Sequence, residues 1–205
     1  KNRYINAAHH VDSQIGRVLD ALAASPHAKN TIVVFAADSG VARGSHGLIG
    51  KQNVYEHSMR VPLIVTGPGI PANQRSKAMC YLFDVLPTLG ALCGVKGPSS
   101  SEGIDFSASL HDPSKAARST MLFGYRHVMR AVRDDRWKLI RYPLVDKTQL
   151  FDLDADPFET VNLADKPEHA ATLAKMKAVL EEQAKAFDDK VPLTVDKPQP
   201  AEWSP

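Results

Sequence analysis

"TIVVFAADSGVARGSHGLIGKQNVYEHSMRVPLIVTGPG", residues 31–69, is the stretch that decides the fold. It opens with a continuous β-branched and apolar run, residues 31–37, that stops at an acid, Asp38. Such a run suits a strand buried on both faces, as in a parallel sheet. A loop follows, with glycines at 40, 44, 47 and 50 and with His46 and Lys51. Residues 61–66 then read as a second short strand, ended by Gly67, Pro68 and Gly69. Open α/β sheets place ligands beyond the carboxyl ends of their strands, and Asp38 stands at such an end. Its carboxylate has two readings: a cap for the following turn, or a metal ligand. Ser39 adds a hydroxyl oxygen, a weak ligand for a hard cation. The glycines let the loop fold back close to a ligand. Lys51 is either a solvated surface lysine or a fixed positive charge facing an anion. His46 is equally open, because a loop histidine can simply bond the backbone. His57 and Arg60 read as braces for the loop, and Glu56 as a local pair.

Working outward, the apolar residues Ala7, Ala8, Val11, Ile15, Val18, Leu19 and Leu22 recur at helical spacing. They predict an amphipathic helix to about Ala24, stopped by Ser25 and Pro26. Downstream, Asp84 is placed to cap a helix over residues 85–93, with Gly94 as its stop. Helix, strand, loop, strand, helix is an α/β order. The character changes after about residue 115. Residues 129–132, 137–141 and 149–152 read as strands, and the Asp134-Asp135 turn makes their sheet antiparallel. A helix is predicted after Asp165 as N-cap, with Pro167 in its first turn and Glu168 at the capping-box position. Leu173, Met176, Leu180, Ala184 and Phe187 form its apolar stripe. The proline-rich tail from Val191 reads as an extended strap on the surface. The expected division is 1–114 for an α/β part, 115–190 for a small α+β subdomain and 191–205 for the tail.

At 205 residues the chain is long enough to bury a substantial core. A formal net charge of +2 gives no bulk electrostatic case for nucleic acid. No apolar run approaches the roughly 18 residues of a membrane span. Cys80 and Cys93 sit in apolar surroundings, the pattern of buried thiols, and a disulfide between them stays open. The chain begins inside a predicted helix without an initiator Met, so a piece of something longer is expected. Asp152, Asp154 and Asp156 imitate the start of an EF-hand loop, but Pro157 replaces its glycine and Leu163 its final glutamate. A turn rich in caps is expected there instead.

The residues resemble the C-terminal part of the sulfatase family, within the alkaline-phosphatase-like superfamily. "TIVVFAADSG" is similar to the family's strand ending in Asp-Asn-Gly or Asp-His-Gly. "GSHGLIGKQNVYEHSMRVPLIVTGPGI" is similar to its His-Gly-Leu-x-Gly-Lys segment and Arg-Val-Pro-Leu strand. "YINAAHHVDSQIGRVLDAL" resembles the helix before them, and "FDVLPTLGALCG" the Asp-x-x-Pro-Thr-Leu helix after them. "RAVRDDRWKLIRYP" and "QLFDLDADPFETVNLA" resemble the small C-terminal subdomain. The resemblance runs to about residue 190. It implies the C-terminal part of an alkaline-phosphatase-like sheet sandwiched by helices. A small subdomain with antiparallel strands and one long helix would follow.

The resemblance implies hydrolysis of sulfate esters or sulfamates. It implies a metal, usually Ca2+, with Asp38 on one ligand position. Ser39 falls on the next, where the family carries Asn or His, and this departure leaves its ligand role open. Lys51 falls on the sulfate-binding lysine, a catalytic and substrate-binding position, and His46 in the same substrate-facing loop. The family's nucleophile is a formylglycine made within Cys/Ser-x-Pro-x-Arg. Neither Cys80 nor Cys93 begins that motif, so the formylglycine is expected upstream, on the rest of a parent sulfatase chain. The wording of residues 50–58 is similar to bacterial sulfatases of glycan catabolism, which implies a sulfated small molecule or polysaccharide and a periplasmic or secreted setting. Arg126, His127 and Arg130 are either within reach of a sugar sulfate or solvated strand residues. Two rivals differ in class: a phosphodiesterase or phosphonate hydrolase of the same superfamily, and a non-catalytic relative that binds sulfated glycans.

Overall fold

The computed structural model describes residues 2–201; Trp203, to which the sequence assigns no role, lies outside them. Helix α1 (Asn2–Ala23) leads to strand β1 (Val33–Ala36), then to the short strands β2 (Ala42–Arg43) and β3 (Ile49–Gly50). The one-turn helix α2 (Glu56–Met59) and β4 (Leu63–Thr66) follow. After α3 (Val85–Cys93) and α4 (Ser107–His111) come β5 (Met121–Tyr125), β6 (Met129–Arg133), β7 (Trp137–Tyr142), β8 (Lys147–Asp152) and the long helix α5 (Ala170–Ala186). The mixed α/β order, the antiparallel sheet and the long last helix are those expected from the sequence.

The chain divides into two compact units. One comprises the segment through Phe35 and Leu63–Gln74. Here β1 pairs with β4, and α1 ends before Ser25 and Pro26 as predicted. The expected burial of β1 on both faces is not found: Phe35 is 41% exposed, and Ile64 on β4 is 58% exposed. A two-stranded sheet leaves each strand a free edge, and one helix cannot cover both of its faces. On α1, Ile15 and Leu22 are half-buried, while Val11, Val18 and Leu19 stay exposed.

The other unit, Ala36–Pro62 with the chain from Arg75 onward, holds the main core. Its sheet runs β5-β6-β7-β8, each strand antiparallel to its neighbour. Successive residues point to opposite faces of a strand, and both faces here are covered. Ala131, Ile140 and Phe151 pack with Val54 and Tyr55 on one side. Val132, Leu139 and Leu150 pack with Met176 and Leu180 of α5 on the other. That is why these strands read as apolar pairs rather than as a simple alternation. Asp134 accepts the backbone N–H of Arg136 (3.0 Å) and of Trp137 (2.6 Å), which closes the β6–β7 turn.

Several local expectations are corrected. Asp84 precedes α3, whose span and Gly94 stop are as predicted, yet its carboxylate makes no cap bond to that helix. It accepts the N–H of Tyr81 (2.7 Å) and of Ile104 (2.8 Å) and a two-pronged bond from Arg118. Asp165 does not cap α5 either. Pro167–His169 form a tight turn, whose own bond from His169 N–H to Lys166 O satisfies the backbone, and α5 starts after it. Cys93 is exposed rather than buried, Cys80 is half-buried, and both are free thiols. Residues 191–201 do lie on the surface as a strap: Leu193 O accepts from Arg141 Nε (2.8 Å), and Gln199 N–H donates to Leu144 O (2.8 Å).

Candidate active site

The loop that follows β1 is shaped by close backbone approach. Gly40 N–H donates to Ser58 O at 2.9 Å, and a Cβ on Gly40 would meet His57 O at 1.9 Å. Only glycine allows the loop at residue 40 to lie this near α2. The chain then turns through the β2–β3 hairpin, with Ala42 opposite Gly50 and Arg43 opposite Ile49. Gly44, His46, Gly47 and Gly50 all have positive φ, so the tip is a compact left-handed turn.

This return brings Lys51 beside Asp38. Lys51 Nζ donates to Asp38 Oδ2 at 3.3 Å, with both side chains largely exposed. The Lys51 ammonium, by hydrogen bond and charge, holds the Asp38 carboxyl below the usual carboxylate range, so it is an anion at neutral pH. Ser39 Oγ lies 3.5 Å from Asp38 Oδ1. Asp38 and Ser39 therefore present hard oxygen donors at one point, chemistry that fits a calcium-like cation. They would supply two of the about six to eight oxygens such an ion takes. Among the described residues, no three His, Cys, Asp or Glu side chains converge to hold a metal. The fit is that of a contributor to a metal shell.

His46 has other partners. Its ring stacks on Tyr55, with centroids 3.9 Å apart and planes 8° from parallel. Its Nε2 lies 3.1 Å from Phe158 O. A carbonyl only accepts, so Nε2 is the donor and Nδ1 is the ring nitrogen left over. Tyr55 is in turn held: its hydroxyl donates to Gln149 Oε1 at 2.8 Å and receives the Tyr142 hydroxyl at 3.3 Å. His57, a brace by sequence, stacks 5.8 Å from Tyr55, and its Nε2 is buried without a hydrogen-bond partner. Burial first, then the charges of His46 and Lys138, lower the His57 pKa, which favours the neutral ring.

Glu56 was expected to pair locally and does not. Its carboxylate receives Lys138 Nζ at 2.9 Å and Arg133 Nη1 at 2.7 Å, both from the distant sheet. Tyr55, Lys138 and Glu159 are absent from the sequence-derived site. A lysine set in the apolar run Trp137-Lys138-Leu139-Ile140 was the one available signal, since buried lysines need a partner. Of the three basic residues considered for sugar sulfate, Arg130 is committed elsewhere. It is buried, pairs with Asp189 and donates to the carbonyls of Arg126 (2.5 Å) and Met129 (2.8 Å). The EF-hand look-alike is a capped turn: Asp152 pairs with Arg136 (2.7 Å), and Asp156 accepts the N–H groups of Thr160 (2.6 Å) and Val161 (2.8 Å).

Comparison with known proteins gives a consistent picture. The family model described as N-sulphoglucosamine sulphohydrolase, C-terminal, matches residues 44–186. An N-acetylglucosamine-6-O-sulfatase of Bacteroides thetaiotaomicron is 31% identical over 195 residues, covering 89% of this chain and 35% of that relative. A Delta 4,5-hexuronate-2-O-sulfatase of the same organism is 33% identical over 212 residues, covering 94% of this chain and 44% of the relative. A solved structure described as in complex with its substrate D-glucosamine-2-N,6-O-disulfate superposes with a TM-score of 0.82 at 31% identity. The match covers 89% of this chain and 40% of that one. The chain thus spans less than half the length of these relatives.

Proposed function

The chain belongs to the sulfatase family, as a C-terminal portion, and from that premise we propose that it serves the hydrolysis of sulfate esters on a glycan. The observation that carries the reading is the Lys51–Asp38 pair at 3.3 Å, beyond the end of β1. In this reading residues 1–114 contribute to the catalytic part and residues 115–190 form the subdomain that supports it.

Asp38, an anion at neutral pH, and Ser39 are ligands of a hard divalent metal, which when bound polarises a sulfate oxygen. Lys51 binds the sulfate and offsets the negative charge that grows on its oxygens as the S–O bond breaks. The glycine-rich tip carries His46 toward the sugar, with Nδ1 free to face it. The attacking group, a formylglycine, belongs to the part of the parent enzyme outside this chain. The sulfated glucosamine bound by the structural relative supports a sulfated amino sugar or its polysaccharide as the substrate class.

Release of inorganic sulfate tests this reading. The full-length enzyme is expected to liberate sulfate from glucosamine 6-sulfate or a sulfated oligosaccharide, and the 205-residue chain alone to liberate none. Cleavage of phosphonate monoesters with no sulfate release from any sulfated sugar would overturn it, as would robust turnover by the chain alone.

A further inference from the structure

Lys138 projects from β7 into the interior with its side chain fully buried. Its ammonium donates to Glu56 Oε1 at 2.9 Å and makes an ion contact with Glu159 Oε1 at 2.8 Å that lacks hydrogen-bond geometry. Glu56 Oε2 takes Arg133 Nη1 at 2.7 Å, and Glu159 Oε2 accepts the Glu56 backbone N–H at 2.6 Å. Two carboxylates and two cations make a quartet with no net charge. Its members come from α2, β6, β7 and the turn after β8.

The chain neighbours of the two carboxylates both hold His46. Tyr55, one residue before Glu56, is the surface on which the His46 ring stacks. Phe158, one residue before Glu159, supplies the carbonyl that meets His46 Nε2. Glu159 itself sits at φ 57, a strained conformation for a residue with a Cβ. The ion pair therefore accompanies a left-handed backbone conformation that residues with a Cβ adopt rarely. Apolar residues of similar volume would join these elements about as firmly. The hydrogen bonds from Lys138 and Arg133 to Glu56 and from the Glu56 N–H to Glu159 Oε2 are directional, and they hold α2 against the 156–160 turn.

We propose that Lys138 and Glu159, acting with Glu56, are positioning residues that set the place and tautomer of His46 in the substrate loop. The role assigned to His46 rests on the proposed sulfatase reading; the positioning itself does not. The quartet locks the 156–160 turn to α2. That lock puts the Phe158 carbonyl and the Tyr55 ring on two sides of one imidazole.

The test is imidazole nitrogen NMR on the full-length enzyme that contains this chain. In the native protein, His46 is expected to show one tautomer, with Nε2 protonated. Glu159→Gln is expected to move the two His46 nitrogen signals toward each other. The double variant Lys138→Met/Glu159→Gln leaves no buried charge unpaired, and should fold and show the same shift. Asp189→Asn breaks another buried ion pair of the same sheet, and is expected to lower Tm while leaving His46 unmoved. Unchanged His46 signals in the double variant would overturn the proposal, and so would an equal shift in Asp189→Asn. The sulfatase reading is tested apart from this by KM in the full-length enzyme. There His46→Ala is expected to raise KM, and an unchanged KM would remove the substrate role of His46 without touching the NMR result.

Discussion

Gly40 shows how a single residue sets the site. Its missing side chain admits the carbonyl of His57, so the loop after β1 lies flat against α2. Gly40→Ala must push backbone against backbone, and overpacking of this kind costs about 1–3 kcal/mol. Urea denaturation should show that loss, whereas Gly16→Ala, with open space around its Cβ position, should not. Ser39 is the residue where the family pattern breaks, and its hydroxyl points no further than the neighbouring Asp38 carboxylate. Asp38, Ser39 and Lys51 stand out in the sequence because each follows a local signal, a strand end, a glycine loop or a family motif, and the structure adds the Lys51–Asp38 contact to them. His46 was legible only as a loop residue, since its partners Tyr55 and Phe158 are fixed by the fold rather than by spacing.

At the scale of elements, the sheet was readable where turn residues bracket apolar pairs, as at Asp134. Strand β5 was missed because Gly124 interrupts it, and the reason for that glycine is tertiary: the Arg130 guanidinium packs at 3.1 Å from where a Cβ would stand. The same blindness to distant partners hid the Glu56 quartet and misread Asp84. Buried carboxylates then link the elements to pH. Burial alone would raise Asp84, but Arg118 and the N–H groups of Ile104 and Tyr81 outweigh it and hold it low. Burial opposes ionisation of Glu56 too, and Lys138 and Arg133 win. Arg130 lowers Asp189. A carboxylate whose folded pKa lies below its unfolded value of about 3.9–4.3 stabilises the fold above that value. The contribution is lost as pH falls through the folded pKa. The urea midpoint should therefore decline modestly from pH 7 to about 5, as His57, lowered in the fold, is protonated first in the unfolded chain, and drop more steeply below about 4 as these carboxylates are protonated. Asp84→Asn should lower the midpoint at pH 7 and flatten the acid-side drop; an unaltered acid slope would remove Asp84 from this account.

For the whole molecule, the larger unit holds both the buried sheet and the loop with Asp38 and Lys51. One face of that sheet is packed by α5 and the other by residues next to Lys51. The C-terminal sheet thus serves as the bed of the proposed site. The family's C-terminal pattern was readable across nearly the whole chain, since its motifs are local. The packing that supports the loop was not, because it joins residues about a hundred positions apart, such as Glu56 and Glu159.

The proposed role of Lys51 is to act on the sulfate. Its direct test is kcat for a sulfated sugar in the full-length enzyme carrying Lys51→Ala. A fall of about 10²–10³-fold is expected, with Tm and circular dichroism unchanged. A native kcat in that variant would contradict it.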